Sequence, residues 1–350
     1  RMPLSAVWIS ESPSTRDRYA ADLLALDAPL FQLPYWNEPL RAMGFRPRYL
    51  TLANGARSLA HATVLQMGPP GARVGLVPRG PVMCPDAGMT AVDAARALAA
   101  WSRRRGFVFL RFTHPHGDVL DALAALPRAR RVDAFPFYRD PGEQLLVAQA
   151  GTDEDLLASF QSLARRKIRG AEKVGFRIER SADPEAFTRL WPLFERLSKR
   201  KGFNFRPLGS YLALMRDAGP SSGAHLFAAY LRDVPVEAIL VVRDRRTAYY
   251  VSGALDVDAL GDAESPSALV HWIAMRALAR EGVEVYDLGT KSGAVYQFKR
   301  IFRPHEISHP APVTMIANRA LNAAWSFGLS RLDGPWRRRL KGLASRVLSR

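Results

Sequence analysis

The sequence predicts an α/β protein of two tandem domains, each a mixed, largely antiparallel sheet with flanking helices. Three observations carry this. At 350 residues the chain is long enough for two cores of ordinary size. Its hydrophobic content of 48% and charged content of 24% are those of a globular protein. One succession of elements also occurs twice: a hairpin, a third strand, a helix closed by glycine, and a returning strand.

In the first unit the strands "PRYLTLA" and "SLAHATVLQM" meet at a turn on Asn54-Gly55. A strand "RVGLVP", a helix "AVDAARALAAWSRRRG" and a strand "FVFLRF" follow. In the second, "HLFAAYL" and "VEAILVVR" meet at Arg232-Asp233, followed by "TAYYVSGA", the helix "SALVHWIAMRALAREG" and the strand "VEVYDLG". Gly106 and Gly282 stand 176 residues apart, each after a charged last turn and before an apolar strand, as a helix-ending glycine does. Helix–Gly–strand is common in any α/β protein. The matching hairpin and third strand at nearly the same offset point to duplication.

Charge is the next informative quantity. The chain carries 50 Lys+Arg against 33 Asp+Glu, a net +17. Residues 161–206 hold 13 basic and 5 acidic side chains, and residues 331–350 hold 7 and 1. These two stretches supply 14 of the 17 net charges, so the excess is localised and suits a polyanionic partner. No apolar run reaches the roughly 18–20 residues that cross a bilayer. The stretch "RMPLSAVWISESPSTRDRY" has no apolar signal-peptide core. The single cysteine, Cys84, fits a reducing compartment. The expected location is cytoplasmic.

A meander of antiparallel strands, a helix and a returning strand is the plan of the acyltransferase fold known as GNAT. That fold commonly holds acyl-CoA with a glycine-rich loop before its central helix, where backbone N–H groups cradle the pyrophosphate. The corresponding connections here, "RGPVMCPDAGMT" and "SGALDVDALGDAESPSA", lack the pattern, and the second is acidic. Acyl-CoA is disfavoured as donor.

Six local patterns, in order, resemble the Fem family of aminoacyltransferases, which build peptidoglycan interpeptide bridges from aminoacyl-tRNA. They are "FQLPYWNEPL", "VPRGPVM", "VFLRF", "LARRKIRGAEKVGFRIE", "GFNFRPLGSYLALM" and "VEVYDLGTKSGAVYQFKRIF", covering about residues 25–310. The resemblance implies two GNAT-like domains sharing a cleft: domain 1 over 1–140, completed by about 308–330, and domain 2 over 141–307. It implies attack of a stem-peptide amine on an aminoacyl-tRNA ester, with that RNA as co-substrate and no other cofactor. The acceptor would be a lipid-linked or UDP-linked muropeptide. No metal is expected, since only His114 and His116 are closely spaced.

The resemblance also assigns site residues. Lys299, set among Val295, Phe298, Ile301 and Phe302, matches the family lysine that steadies the tetrahedral oxyanion. The competing reading is a lysine that snorkels to solvent along its own stem. Phe298 shapes the site beside it. Arg206 matches an arginine that grips acceptor phosphate. Tyr211 and Arg41 fall near further acceptor-binding positions, each displaced by one residue, and for both a solvated surface role stays open. The family's second acceptor tyrosine is Val251 here, with Tyr249 two residues earlier on the same strand face. The aspartate that follows "LRF" in the family is replaced by Thr113-His114, and the coiled-coil insertion of some members is absent.

Arg165, Arg166, Lys167 and Arg169 cluster on one or two helical turns and read as a surface for RNA or acceptor phosphate. "WRRRLKGLASRVLSR" reads as a basic amphipathic helix over 331–350, either touching an anionic membrane from its inner face or packed on the protein. Rival functions are N-acyl transfer, from acyl-CoA or aminoacyl-tRNA, to a different amine, and a non-catalytic RNA- or membrane-binding adaptor.

Overall fold

The computed structural model describes residues 7–11, 16–131, 142–149, 151–216, 223–291 and 293–331. The predicted helix over 331–350 lies, but for Arg331, outside them. By contacts the chain divides into two units, Arg1–Asp140 with His309–Arg350, and Pro141–Ser308.

The first unit contains β1 (Trp8–Glu11), α1 (Arg16–Ala25), α2 (Pro34–Asn37), β2 (Arg46–Asn54), β3 (Arg57–Met67), β4 (Arg73–Val77), β5 (Val82–Met83), α3 (Ala91–Arg104), β6 (Phe107–Phe112), α4 (Gly117–Ala124) and β7 (Ala129–Arg131). The second contains β8 (Glu143–Ala148), α5 (Asp153–Ser159), α6 (Ser162–Val174), β9 (Arg177–Ser181), α7 (Pro184–Lys201), α8 (Leu208–Arg216), β10 (Gly223–Leu231), β11 (Val234–Arg243), β12 (Thr247–Leu255), α9 (Val257–Leu260), α10 (Ser267–Ala279), β13 (Val285–Asp287), α11 (Gly293–Lys299) and β14 (His305–Ser308). The chain then returns to the first unit with β15 (Val313–Ile316) and α12 (Arg319–Arg331). The sheet orders are β1-β2-β3-β4-β6-β15-β7, with β5 added on β3, and β14-β8-β13-β12-β11-β10-β9.

Local chemistry explains the repeated unit. The β10–β11 loop has two residues, Arg232 and Asp233, both at positive φ (50° and 67°), the twist a two-residue hairpin needs. The Thr90 side chain accepts from Asp93 N–H to start α3, and Arg103 and Arg104 occupy its last turn, where cations offset the helix dipole. The α3 and α10 helices bury apolar faces against their sheets: Leu98 and Trp101 in one, Leu269, Trp272 and Met275 in the other. Gly106 and Gly282 take the left-handed conformation after the helix end, at φ 72° and 85°.

The two units differ where it matters for chemistry. Each sheet contains one parallel pair, β4 with β6 and β12 with β13. In the first unit that pair is joined along its whole length, from Arg73↔Phe107 to Val77↔Phe112. Thr113 N–H extends the ladder to Val77 O. In the second unit only Thr247–Tyr249 pair with Val285–Asp287, after which the strands part.

Candidate active site

The parting of β12 and β13 follows from their other partners. Leu288 N–H bonds Leu145 O at 2.8 Å and Leu145 N–H bonds Gly289 O, so the chain leaving β13 follows β8. On β12, Leu240 pairs with Ser252 while Val241 pairs with Tyr250, leaving Val251 as the extra residue of a bulge. The bulge sends neighbouring side chains to opposite layers. Tyr250 packs edge-on against His271 of α10, with ring centroids 4.7 Å apart. Ser252 meets the hydroxyl of Tyr211 on α8 at 2.8 Å.

Lys299, the last residue of α11, reaches into this notch. It is only 6% exposed. Its ammonium donates to Thr290 O at 3.0 Å, lies 6.0 Å from the centre of the Tyr250 ring, and would stand 3.7 Å from a Cβ placed on Gly289. Burial lowers its pKa, and Asp287 partly opposes the shift. That carboxylate is engaged in holding the strand end: Oδ1 accepts from Gly289 N–H at 2.7 Å and Oδ2 from Gln144 Nε2. The lysine's hydrogen-bond acceptor is therefore a neutral carbonyl rather than a carboxylate. A buried ammonium so placed is able to stabilise an anionic oxygen brought beside it.

Phe298 is half-buried and its ring packs between His271 (5.7 Å) and Phe302 (5.6 Å). His271 Nδ1 lies 3.0 Å from the Tyr286 hydroxyl. Burial, reinforced by Lys299, lowers the His271 pKa to about 3, so the imidazole is neutral at working pH. Further along the same sheet face, Glu237 of β11 is 5% exposed and accepts from Ser267 Oγ, in the first turn of α10, at 2.9 Å. Burial raises its pKa to about 8. Sequence reasoning missed Tyr250, His271 and Glu237, because each sits in a stretch that periodicity assigns to core. The available signal was a polar side chain interrupting an apolar run.

The other expected residues are placed as follows. Tyr211 is 2% exposed, with its hydroxyl on Ser252, so the structure makes it a packing residue. The Tyr249 hydroxyl donates to Asp244 Oδ2 at 2.8 Å within the fold, which is likewise a structural role. Arg206, half-buried in the α7–α8 connection, is close enough to Tyr211 to influence its pKa. Arg41 belongs to the first unit, where Glu38 pairs with its Nε at 2.6 Å.

The basic cluster on α6 does not act as one surface. Arg165 turns inward and donates to Ala158 O and Phe160 O, closing the end of α5. Lys167 pairs with Glu264 at 3.2 Å. Arg166, Arg169 and Lys173 are exposed at i, i+3 and i+7, opposite the buried Ala164, Ile168 and Ala171. The expected four-cation patch therefore becomes a stripe of three.

Among the described residues no group of three or more His, Cys, Asp and Glu is placed to hold a metal ion. The Cys84 thiol is pushed up by burial, the opposite of an activated nucleophile. No helix of the described residues is long and apolar enough to cross a membrane.

Residues 158–300 match the family model described as an acetyltransferase (GNAT) domain, ending just past Lys299. Among solved structures, FemX superposes with a TM-score of 0.75 at 17% identity, covering 90% of this chain and 99% of its own. The chain has a Fem-like GNAT fold. A conserved protein of unknown function from Bacteroides thetaiotaomicron matches this chain at TM-score 0.61 and 10% identity, over 88% of this chain and 100% of the other. The C-terminal domain of an assigned lysylphosphatidylglycerol synthetase from Agrobacterium fabrum gives 0.55 and 12%, over 93% and 99%. No curated protein matches in sequence.

Proposed function

We propose that the protein is an aminoacyltransferase that moves an aminoacyl group from tRNA to an amine on a peptidoglycan precursor peptide. The observation that carries this reading is the Lys299 ammonium, buried where β12 and β13 part and bonded to a neutral carbonyl. The amine attacks the ester carbonyl, whose oxygen becomes an anion facing Lys299. Collapse breaks the ester C–O bond, forms the amide and releases the ribose hydroxyl. A preorganised cation beside the developing oxyanion lowers such a barrier by several kcal/mol. The Fem-like fold and the exposed stripe of Arg166, Arg169 and Lys173 support a phosphate-rich donor. Arg206, beside Tyr211, is the acceptor-phosphate candidate that the resemblance supplies.

Acyl-CoA is the second donor to consider, because the matched family model is an acetyltransferase domain. Against it, the connection from β12 to α10 is acidic: Asp256 and Glu264 are paired with Arg196 and Lys167, and Asp258 and Asp262 add negative charge that disfavours a pyrophosphate. Incubating the protein with charged tRNAs or acetyl-CoA, together with UDP-linked and lipid-linked muropeptides, tests both by product mass. An aminoacylated muropeptide is the expected product. An acetylated one, or transfer only to unrelated amines, would overturn the reading.

A further inference from the structure

The α7 helix ends in a basic, aromatic turn that the chemistry above leaves unused. All six residues from Lys199 to Asn204 are exposed. Phe203 is 43% exposed, and no other aromatic ring of the second unit is as exposed among the described residues. The fold nevertheless holds it in place. Gly202 ends the helix in the left-handed conformation, φ 69°, with its N–H on Ser198 O at 2.9 Å. The Ser198 hydroxyl donates to Phe203 O. From beneath, the Phe205 ring meets Phe203 at 4.8 Å and packs on the fully buried Phe194 at 5.2 Å. Residues 196–216 carry six Lys and Arg and no Asp or Glu. Of these, Arg196 pairs with Asp256 and Arg200 donates to Leu255 O. Lys199 and Lys201 have no carboxylate partner among the described residues. Two unneutralised cations thus flank a ring that the scaffold keeps out of the core.

We infer that this turn docks on an anionic lipid surface, with Phe203 entering the boundary between headgroups and acyl chains and Lys199 and Lys201 meeting lipid phosphates. Charge and shape select this partner. Cations near an anionic leaflet are drawn to it over about a Debye length, and an aromatic ring at the boundary adds apolar burial. Nucleic acid would be drawn by the same charge, but aromatic platforms for unpaired bases lie in grooves that track the backbone. Here ring and cations stand on a turn exposed along its whole length, which suits a surface that yields around it. Because Ser198, Gly202 and Phe205 already fix the turn, docking orders little chain and loses little entropy. The same connection carries Arg206, three residues beyond Phe203. Docking would bring that arginine towards the headgroup layer, so the acceptor drawn on would be the lipid-linked muropeptide rather than the UDP-linked one. This last consequence rests on the proposed transfer, whereas the docking rests on the surface alone.

Flotation of the full chain with vesicles tests the docking without turnover. Wild type should float with vesicles of phosphatidylglycerol and phosphatidylcholine, and far less with phosphatidylcholine alone. Phe203→Ala, which leaves every charge in place, and Lys199→Glu with Lys201→Glu should each weaken binding to the anionic vesicles about tenfold or more. All of these side chains are exposed, so unchanged melting temperatures will confirm that the variants are folded. Phe203→Trp should gain emission, relative to wild type, that brominated lipid quenches. Transfer to a UDP-linked muropeptide should be unchanged in Phe203→Ala, while transfer to the lipid-linked form in vesicles falls. Full vesicle binding by Phe203→Ala would overturn the inference, because the attraction would then be charge alone. So would binding that only removal of residues 331–350 abolishes. Variants that lose tRNA binding but keep vesicle binding would assign the turn to RNA and equally overturn it. A wild type that floats with anionic vesicles but transfers nothing to either acceptor would support the docking and overturn the transferase reading.

Discussion

Nδ1 of His271 lies 3.0 Å from the hydroxyl of Tyr286, and the same imidazole packs edge-on against Tyr250. One helix side chain thereby links β12 and β13 beneath the notch. The imidazole does so as a neutral group, since burial and Lys299 depress its pKa to about 3.

The pH consequence has a definite sign. An unfolded histidine titrates near about 6.5, so between about 6.5 and 3 the unfolded chain binds a proton that the folded one refuses. The stabilising contribution of a neutral His271 is complete above about pH 6.5 and lost as pH falls towards 3. In urea titrations from pH 7 to 4.5, the advantage of wild type over His271→Gln should shrink with acidity. A constant difference would mean that the imidazole titrates normally.

Glu237 acts in the opposite direction. Its folded pKa, about 8, lies above the ordinary carboxylate value, so the fold carries a cost that grows as pH rises from about 4.5 through 8. Glu237→Gln keeps a partner for Ser267 and should raise the melting temperature at pH 9 while changing little at pH 5. Destabilisation at pH 9 would show that the ionised carboxylate is favoured where it sits.

Gly253→Ala is a test of packing at the notch. The added Cβ meets the Tyr250 oxygen at 2.5 Å and Ile239 Cγ2 at 3.1 Å, and the first is the far end of a side chain that can swing. Transfer should fall at least about tenfold, while stability changes by roughly 1–2 kcal/mol, within the range for overpacking. Full activity would show that Tyr250 need not hold its place.

On α6 the exposed and inward cations should separate cleanly. Arg166→Glu with Arg169→Glu is expected to weaken tRNA binding for any sequence and flatten its salt dependence. Arg165→Glu should instead lower stability, because its guanidinium holds Ala158 O and Phe160 O. Equal effects on RNA binding from all three would restore the single patch.

Much of this architecture was legible in the sequence because its signals are local. The Arg232-Asp233 turn, the α3 and α10 helices and their closing glycines each follow from neighbouring residues. The notch was not legible. It exists because β13 leaves β12 for β8 after three paired residues, a choice settled by tertiary partners such as Leu145. Lys299 could be found from its motif, whereas Tyr250 and His271 read as core until the bulge at Val251 is seen. Tyr211 was legible as a residue to note, but its partner Ser252 lies 41 positions away, and with it the structural role.

The central claim is that the Lys299 ammonium serves the transition state rather than the fold. Lys299→Met keeps most of the stem volume and removes the charge. Stability should be unchanged or higher, because the desolvation cost of a buried cation is gone. Single-turnover transfer should slow about 100-fold or more, with tRNA affinity nearly unaltered. Transfer at close to the wild-type rate by a folded Lys299→Met protein would contradict the account.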